Sequence, residues 1–446
     1  MMKLVLSLAL VAFLSGCAVA QVEPGEAALD QAFPLGVYWP WERVQGMAQR
    51  NGVEKWAWVE RCLDDMKAHH INAVWVVNIG IPDLRPLADR CAARGISLLP
   101  GLGELHYNVE WRRNNWTYLE EQSKAAIAAA GDSPAILAWV LCDEPGSAIV
   151  GEMETFRRKF REWGAKQPTT VVTMWPDTPT YAEQAGFGAL CTDVYPFFSE
   201  GNPNGPNTPA SSQAWYKRHV GITAQAALKS GKTPWIMPQC YAEIWGPWAY
   251  TPEGNIRALP GAIIHWRQPT AGEIRWQIWT ALAAGIRGLF FFVMDPPPTD
   301  SPDAKPYEGE AFPPELRLTE ERVIEGSGGI VRPDGSETPH YAAIADTYSA
   351  VEGLVPLLQG CRPSTEALGE LTGRGSLSTL HNAALNRTVA VVVNDDTDQP
   401  QALRVWLVKP RDVTDLRTRQ VLPRAADNTV TVTLEPGEGT VLEYVP

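Results

Sequence analysis

The feature that most constrains the fold of this chain is an alternation of short apolar runs with helix-periodic segments, sustained from about residue 33 to 355. The runs end near Tyr38, Val77, Pro100, Cys142, Met174, Thr192, Pro238 and Val293. Near-continuous hydrophobicity of this kind is what parallel strands covered on both faces require. The clearest helical segment is the last one between runs. There Thr270 and Glu273 form a capping-box pattern, and Ile274, Ile278, Leu282 and Gly285 recur on one face. Repeated βα units with right-handed crossovers give either a closed barrel or an open doubly wound sheet. The barrel is favoured for two reasons. No GxGxxG follows the first run, and the segments after the runs, notably 196–212 and 295–315, are long and rich in Trp, Pro and Gly. The expected fold is therefore α/β, a (β/α)8 TIM barrel over 33–358.

From about residue 359 the pattern changes. Val389-Ala390-Val391-Val392-Val393, Ala402–Leu407 and Val430–Leu434 read as short strands separated by turn chemistry such as Asn394-Asp395-Asp396 and Glu435-Pro436-Gly437. A small antiparallel β-sandwich over 359–446 is expected, acting as a packing appendage rather than a glycan-binding module. A chain of 446 residues, 45% hydrophobic and 20% charged, can bury the core that this organisation needs.

The N-terminus carries Lys3 and an apolar run from Leu4 to Leu14, too short to span a membrane and suited to a secretory signal. Leu14-Ser15-Gly16-Cys17 resembles the bacterial lipobox, which makes Cys17 the expected lipidation site. Ala18-Val19-Ala20 offers the alternative of ordinary cleavage and secretion. Residues 1–20 are thus read as a signal peptide and 21–32 as a linker. The protein is expected outside the cytoplasm, at the periplasm or the outer-membrane or cell surface, touching the membrane only through a lipid anchor. A net charge of −13 argues against nucleic acid or an anionic membrane surface as partner. Cys62, Cys91, Cys142, Cys191, Cys240 and Cys361 show no metal-binding spacing. Cys62 and Cys91 fall on consecutive helical segments, where a pairing stays open.

In a barrel, the groups that follow strand C-termini share one rim, and that rim carries the chemistry. Here it would be built from Trp39, Trp41 and Glu42; Asn78; Glu104, His106 and Tyr107; Asp143 and Glu144; Trp175 and Asp177; Asp193 and Tyr195; Gln239, Tyr241, Glu243 and Trp245; and Asp295. Carboxylates and aromatics dominate, with almost no basic residues. Paired carboxylates protonate a leaving group and stabilise an oxocarbenium-like state, as glycoside hydrolysis needs. Trp, at 18 residues, outnumbers Tyr at 12 and Phe at 11, and flat indoles suit stacking on sugar faces. Glu144, ending Trp139-Val140-Leu141-Cys142-Asp143-Glu144, is the best acid candidate; Asp143 is a supporting residue. His106 lacks a second ligand at metal spacing, so no metal and no cofactor is expected.

At this point the chain resembles the clan A glycoside hydrolases. The likeness rests on Trp139–Pro145, on the Asp193-Val194-Tyr195-Pro196 corner, and on Glu273-Ile274-Arg275-Trp276-Gln277 leading to Ala283-Ala284-Gly285-Ile286-Arg287-Gly288. The closing segment Leu434–Leu442 is similar to the last strands of sandwiches appended to such barrels. The resemblance implies a retaining enzyme acting on an oligo- or polysaccharide, with Glu144 as acid/base and a nucleophilic glutamate after strand 7. Two positions depart from it. Asp143 stands where the family has Asn, and Gln239 ends strand 7 where the nucleophile belongs, so Glu243 is the nearest substitute. Two alternatives follow: an inverting enzyme with Asp193 or Glu104 as base, and a non-catalytic glycan-binding protein on a degenerate barrel.

Overall fold

A computed structural model describes residues 27–102, 115–301 and 304–445. The lipobox with Cys17 and the predicted rim residues Glu104, His106 and Tyr107 lie outside the described residues. No helix among the described residues is long and apolar enough to cross a membrane.

Eight parallel strands close into a barrel: β1 (Leu35–Pro40), β2 (Ala73–Ile79), β3 (Ser97–Leu102), β4 (Trp139–Asp143), β5 (Thr169–Met174), β6 (Ala189–Val194), β7 (Thr233–Pro238) and, after an excursion of four short strands, β12 (Leu289–Phe291). Each predicted strand is present. Closure is made by β12, which pairs with β1 at Leu35↔Leu289 and with β7 at Leu289↔Ile236.

Because side chains alternate across a strand, each barrel strand feeds two layers. Tyr38, Trp75, Val77, Leu99, Val140, Val172, Cys191, Trp235, Met237 and Phe290 fill the interior. Val37, Trp39, Val74, Leu141, Val171, Leu190 and Ile236 face the helices. Phe290 lies between Trp75 and Trp235, with ring centroids 5.2 and 5.6 Å away, so the interior is a packed core. Two glycines make room for it. A Cβ on Gly36 would sit 2.6 Å from the Phe290 ring, and one on Gly288 would sit 2.4 Å from the Trp235 indole.

The helical layer includes α1 (Trp41–Arg50), α2 (Lys55–Ala68), α3 (Ile81–Arg94), α4 (Trp116–Ala130), α5 (Val150–Glu162), α6 (Thr178–Gln184), α7 (Pro209–Lys229), α8 (Ala271–Ala283) and α9 (Pro339–Glu352). The capping box on α8 is formed as expected: Thr270 accepts from the Glu273 N–H, and Glu273 accepts from the Thr270 N–H at 2.9 Å. The single apolar face read from the sequence is an underestimate, since every described residue of α8 but Ala271 and Arg275 is buried. The cause is the C-terminal sandwich, which covers the face turned away from the barrel. Trp276 donates to Asp395 at 2.9 Å, Arg275 donates to the Pro436 carbonyl at 2.8 Å, and Gly439 packs on Trp279.

The sandwich itself has one sheet of six strands, in the order Cys361–Pro363, Gly375–Asn382, Arg387–Asn394, Gly439–Val445, Asp412–Asp415 and Gln420–Leu422. A three-stranded sheet of Gly369–Thr372, Gln401–Leu407 and Thr429–Leu434 faces it. Leu403, Val405, Val432, Val392 and Leu442 form the core between them.

Between β7 and α8 the chain makes β8 (Glu243–Trp245), β9 (Trp248–Tyr250), β10 (Ile256–Ala258) and β11 (Ile263–Trp266). β8 pairs with β11, and β10 with both β9 and β13 (Arg322–Ile324). These strands of three or four residues are too short to show a period, and Glu243 begins one of them. Cys62 and Cys91 are both buried free thiols, so the pairing left open by the sequence is not made.

Candidate active site

The tip of β4 is irregular. Its register against β5 runs Val140↔Thr170 and then Asp143↔Val172, three residues against two, which is a β-bulge. Simple alternation from the inward Val140 would turn Cys142 inward as well. The bulge instead leaves Cys142 in the helix-facing layer and brings the Asp143 charge to bear on Cys191, Asp193 and Tyr195 inside the barrel mouth. Glu144 follows with φ of +45°, a left-handed conformation unusual for a residue with a Cβ, and its N–H is held by the Val172 carbonyl at 3.0 Å. Such a residue costs roughly 1–2 kcal/mol relative to an ordinary backbone conformation, and outliers of this kind concentrate where geometry serves function. The Glu144 side chain is exposed.

Asp193 faces it from β6. Cys191 points into the interior and Val194 toward the helices, so Asp193 sits on the inner face directly above Cys191, 8% exposed. Its carboxyl makes a side-chain hydrogen bond with Glu144, while among the described residues no N–H or hydroxyl donor reaches Oδ1. Burial first, then the Glu144 charge and this hydrogen bond, then Asp143, push the Asp193 carboxyl well above the usual carboxylate range. A carboxyl raised in this way keeps its proton and can donate it in the hydrogen bond to Glu144.

Aromatic rings wall the pair. Tyr195 and Tyr241 meet edge-on at 5.3 Å, and each also contacts Trp266 and Phe292 at 4.9 to 5.7 Å. Burial raises both phenols, Tyr195 with a further contribution from Asp193, and Tyr241 from Glu243, Asp193 and Glu144 in that order. Tyr241 is therefore the residue that feels both Glu243 and the Glu144–Asp193 pair. Glu243 is half-buried; burial raises its pKa, the Trp245 side chain opposes the shift by hydrogen bonding, and its Oε2 has no partner among the described residues. Trp245 stacks on His265 at 4.5 Å and packs against Tyr307 and Phe312, which makes it part of the wall of the excursion. Trp266, Phe292 and Tyr38 were absent from the sequence reading of the rim. Trp266 closes the short strand β11, for which no periodic signal existed.

The remaining predicted rim residues divide by direction. Glu42 and Asn78 are neighbours at the mouth, the Asn78 amide donating to Glu42 at 3.1 Å, and Asn78 too has a left-handed φ of +59° at a bulge. Trp39 is a correction: alternation on β1 turns it outward, and its fully buried indole donates to Asp295 at 2.7 Å. Asp295 is likewise fully buried, beside the helical layer, where Arg43 donates to its carbonyl. Burial pushes its carboxyl up to about 7 against the opposing effects of Trp39 and Arg43. Neither residue can touch a ligand at the mouth. Trp175, 37% exposed, leans onto α7, 4.2 Å from His219 and 6.4 Å from Trp215. Trp41 donates to Asp83, and Asp177 accepts from the Ser147 N–H.

Gln239 is the second correction. It has no exposed surface, and its amide is fully committed to backbone: Oε1 accepts from the Phe197 N–H at 2.9 Å, and Nε2 donates to the Tyr241 and Arg267 carbonyls at 3.1 and 2.9 Å. Gln277 brackets its own peptide, accepting from the Gln239 N–H and donating to its carbonyl. The residue fastens the β6 loop and the excursion to the end of β7, and it offers no group to a sugar.

Fold and site together define a (β/α)8-barrel protein with a C-terminal β-sandwich and a carboxylate-and-tyrosine mouth. No family model and no curated protein matches the chain. Among solved structures, the chain is similar to the apo β-glucuronidase of Ruminococcus gnavus at a TM-score of 0.46 and 10% identity, over 71% of this chain and 50% of that one. The same enzyme in complex with D-glucuronic acid gives 0.47 and 10%, over 71% and 49%. These neighbours are glycoside hydrolases, and the chain spans about half the length of the structures it matches.

Proposed function

We propose that the protein is an exported glycoside hydrolase in which Glu144 protonates the departing glycosidic oxygen. The observation that carries this reading is the contact of an exposed Glu144 with a buried, proton-retaining Asp193 at the barrel mouth. An acid catalyst must hold its proton near neutral pH and still reach substrate. Asp193 holds the proton and Glu144 reaches the substrate. In direct contact, the two leave no space for the water that an inverting pair needs between carboxyls roughly 6.5–9.5 Å apart. This argues against Asp193 as an inverting base and for a retaining course.

In that course Glu243, across Tyr241 from the pair, attacks the anomeric carbon while Glu144 gives its proton to the leaving oxygen. Water, deprotonated by Glu144, then releases the sugar from the ester on Glu243. The test is hydrolysis of a panel of aryl glycosides and polysaccharides by the wild type, Glu144→Gln and Glu243→Gln, with the first-formed anomer read by NMR. Glu144→Gln should lose about 10²–10⁴ in kcat, least for substrates with good leaving groups. Unchanged activity in Glu144→Gln would remove the acid from the mechanism, and an inverted first anomer would remove Glu243 as nucleophile.

The committed amide of Gln239 favours a second reading, a lipid-anchored glycan-binding protein, because no carboxylate ends β7. Glycan binding without turnover in both the wild type and Glu144→Gln would select it. Under either reading Cys17 is the proposed lipid attachment site, and radiolabelled palmitate should enter the wild type and not Cys17→Ser.

A further inference from the structure

Away from the mouth, three side chains with metal-binding atoms converge between α2 and the start of α9. Asp65 lies in the last turn of α2, His69 caps its end, and Glu337 precedes α9. One ligand atom from each lies within 4.8 Å of the others. His69 Nδ1 is 2.7 Å from the Asp65 carbonyl oxygen, a contact that requires the proton on Nδ1. In the neutral ring this leaves the Nε2 lone pair aimed at Glu337 Oε1 only 3.0 Å away, two acceptors facing each other. A cation bound beside both atoms resolves the conflict, as does a second proton on the ring.

The surroundings favour the cation. An Nδ1–H donated to a backbone carbonyl is the arrangement that orients a metal-ligating imidazole. The Asp65 side chain adds a second carboxylate on the Nδ1 side of the ring, 3.5 Å from that nitrogen, with one atom of each of the three groups within 4.8 Å of the others. Tyr341, fully buried, stacks on His69 at 4.4 Å and fixes the plane of its ring. A cavity of about 330 Å³ borders Asp65 and Glu337, large enough for water ligands, and into its wall is set the Trp58 indole, 1% exposed, with an Nε1–H that has no acceptor among the described residues.

We propose that Asp65, His69 and Glu337 bind a first-row divalent cation of the zinc type, with water completing the shell. Its role would be structural. Glu337 stands at the returning end of the long excursion that follows β12, and α2 is the fixed wall. Arg61 of α2 and Asn51 at the end of α1 already tie Gly335 and Pro333 of the same segment to the helical layer. A cation here clamps the excursion that carries β13 to the barrel.

The experiment is calorimetric titration of Zn²⁺ into the chelator-treated full chain, alongside melting curves with and without the metal. Expected are one equivalent bound at micromolar affinity or tighter and a rise in Tm, since a ligand of the native state stabilises it. Both effects should weaken at least 10-fold in His69→Gln and in Glu337→Gln. The latter changes a half-exposed surface side chain and should leave the fold intact. Absence of saturable binding, or binding equal in the wild type and Glu337→Gln, would overturn the proposal and leave an imidazolium–carboxylate pair.

Discussion

The carboxyl of Asp193, buried at the end of β6, is hydrogen bonded to the carboxyl of Glu144, exposed at the end of β4. One strand, β5, separates the two in the barrel. The bulge and left-handed turn at the end of β4 carry Glu144 to the position where this contact forms. Burial and the neighbouring Glu144 charge keep the proton on Asp193.

Asp193→Asn should stabilise the protein while impairing it. The folded-state pKa of Asp193 is raised, so above the unfolded carboxylate value near 4 the unfolded chain gives up a proton that the folded chain keeps. Stability is therefore lost as pH rises through that window. The amide removes the loss, so the melting temperature of the variant relative to wild type should climb from pH 4 to 7. Its kcat should fall, and the alkaline limb of its pH profile should move. A variant with a Tm no higher than wild type at pH 7 would contradict the raised pKa.

Gln239→Glu places the family's expected residue at the end of β7, and it should not create activity. Its carboxylate would face the Tyr241 and Arg267 carbonyls, to which Gln239 now donates. An unpaired buried charge in place of hydrogen bonds costs roughly 3–5 kcal/mol. Denaturant unfolding should report a loss of that order, with glycoside turnover unchanged or reduced.

Asp295 supplies a second pH signature, away from the mouth. Its carboxyl is pushed up to about 7 by burial, so stability should decline between pH 4 and 7 and level off above. About three units correspond to on the order of 4 kcal/mol. Asp295→Asn keeps an acceptor for Trp39 and should flatten this decline in melting curves, leaving activity at constant pH nearly unchanged.

Thr270→Ala removes the side-chain acceptor for the Glu273 N–H at the start of α8. A lost N-cap of this kind destabilises by about 1 kcal/mol. Because α8 joins the barrel to the sandwich, the loss should appear as one cooperative shift in urea midpoint. Separate transitions for the two parts would show that the contact of Trp276 with Asp395 does not couple them.

Much of the architecture was legible because its causes are local. A parallel strand buried on both faces writes itself as an apolar run, and the positions of Val77, Cys142 and Thr192 near strand ends followed from that alone. The capping box of Thr270 and Glu273 needs only three residues of spacing, and it formed. The site was less legible, because facing depends on register. Trp39 and Tyr38 are adjacent letters with equal claim to the rim, yet alternation buries the first against the helices and turns the second inward. Trp175 follows β5 and so belongs to the rim by position, yet neighbours on α7, distant in sequence, draw it sideways. Gln239 was read as a substrate contact, and its bonds go to backbone that no linear pattern could bring together.

What the sequence determined by itself is the order of strands and helices, the change to a sandwich after the last barrel helix, and a glutamate at the tip of the fourth strand. Periodicity and burial on both faces impose these within a few neighbouring residues. What only the tertiary structure decided is which acid meets Glu144. That choice depends on closure of the barrel, the bulge that shifts β4 by one residue, and the inward parity of Asp193 on β6. Each is a long-range register, and side-chain direction reverses with every single-residue slip.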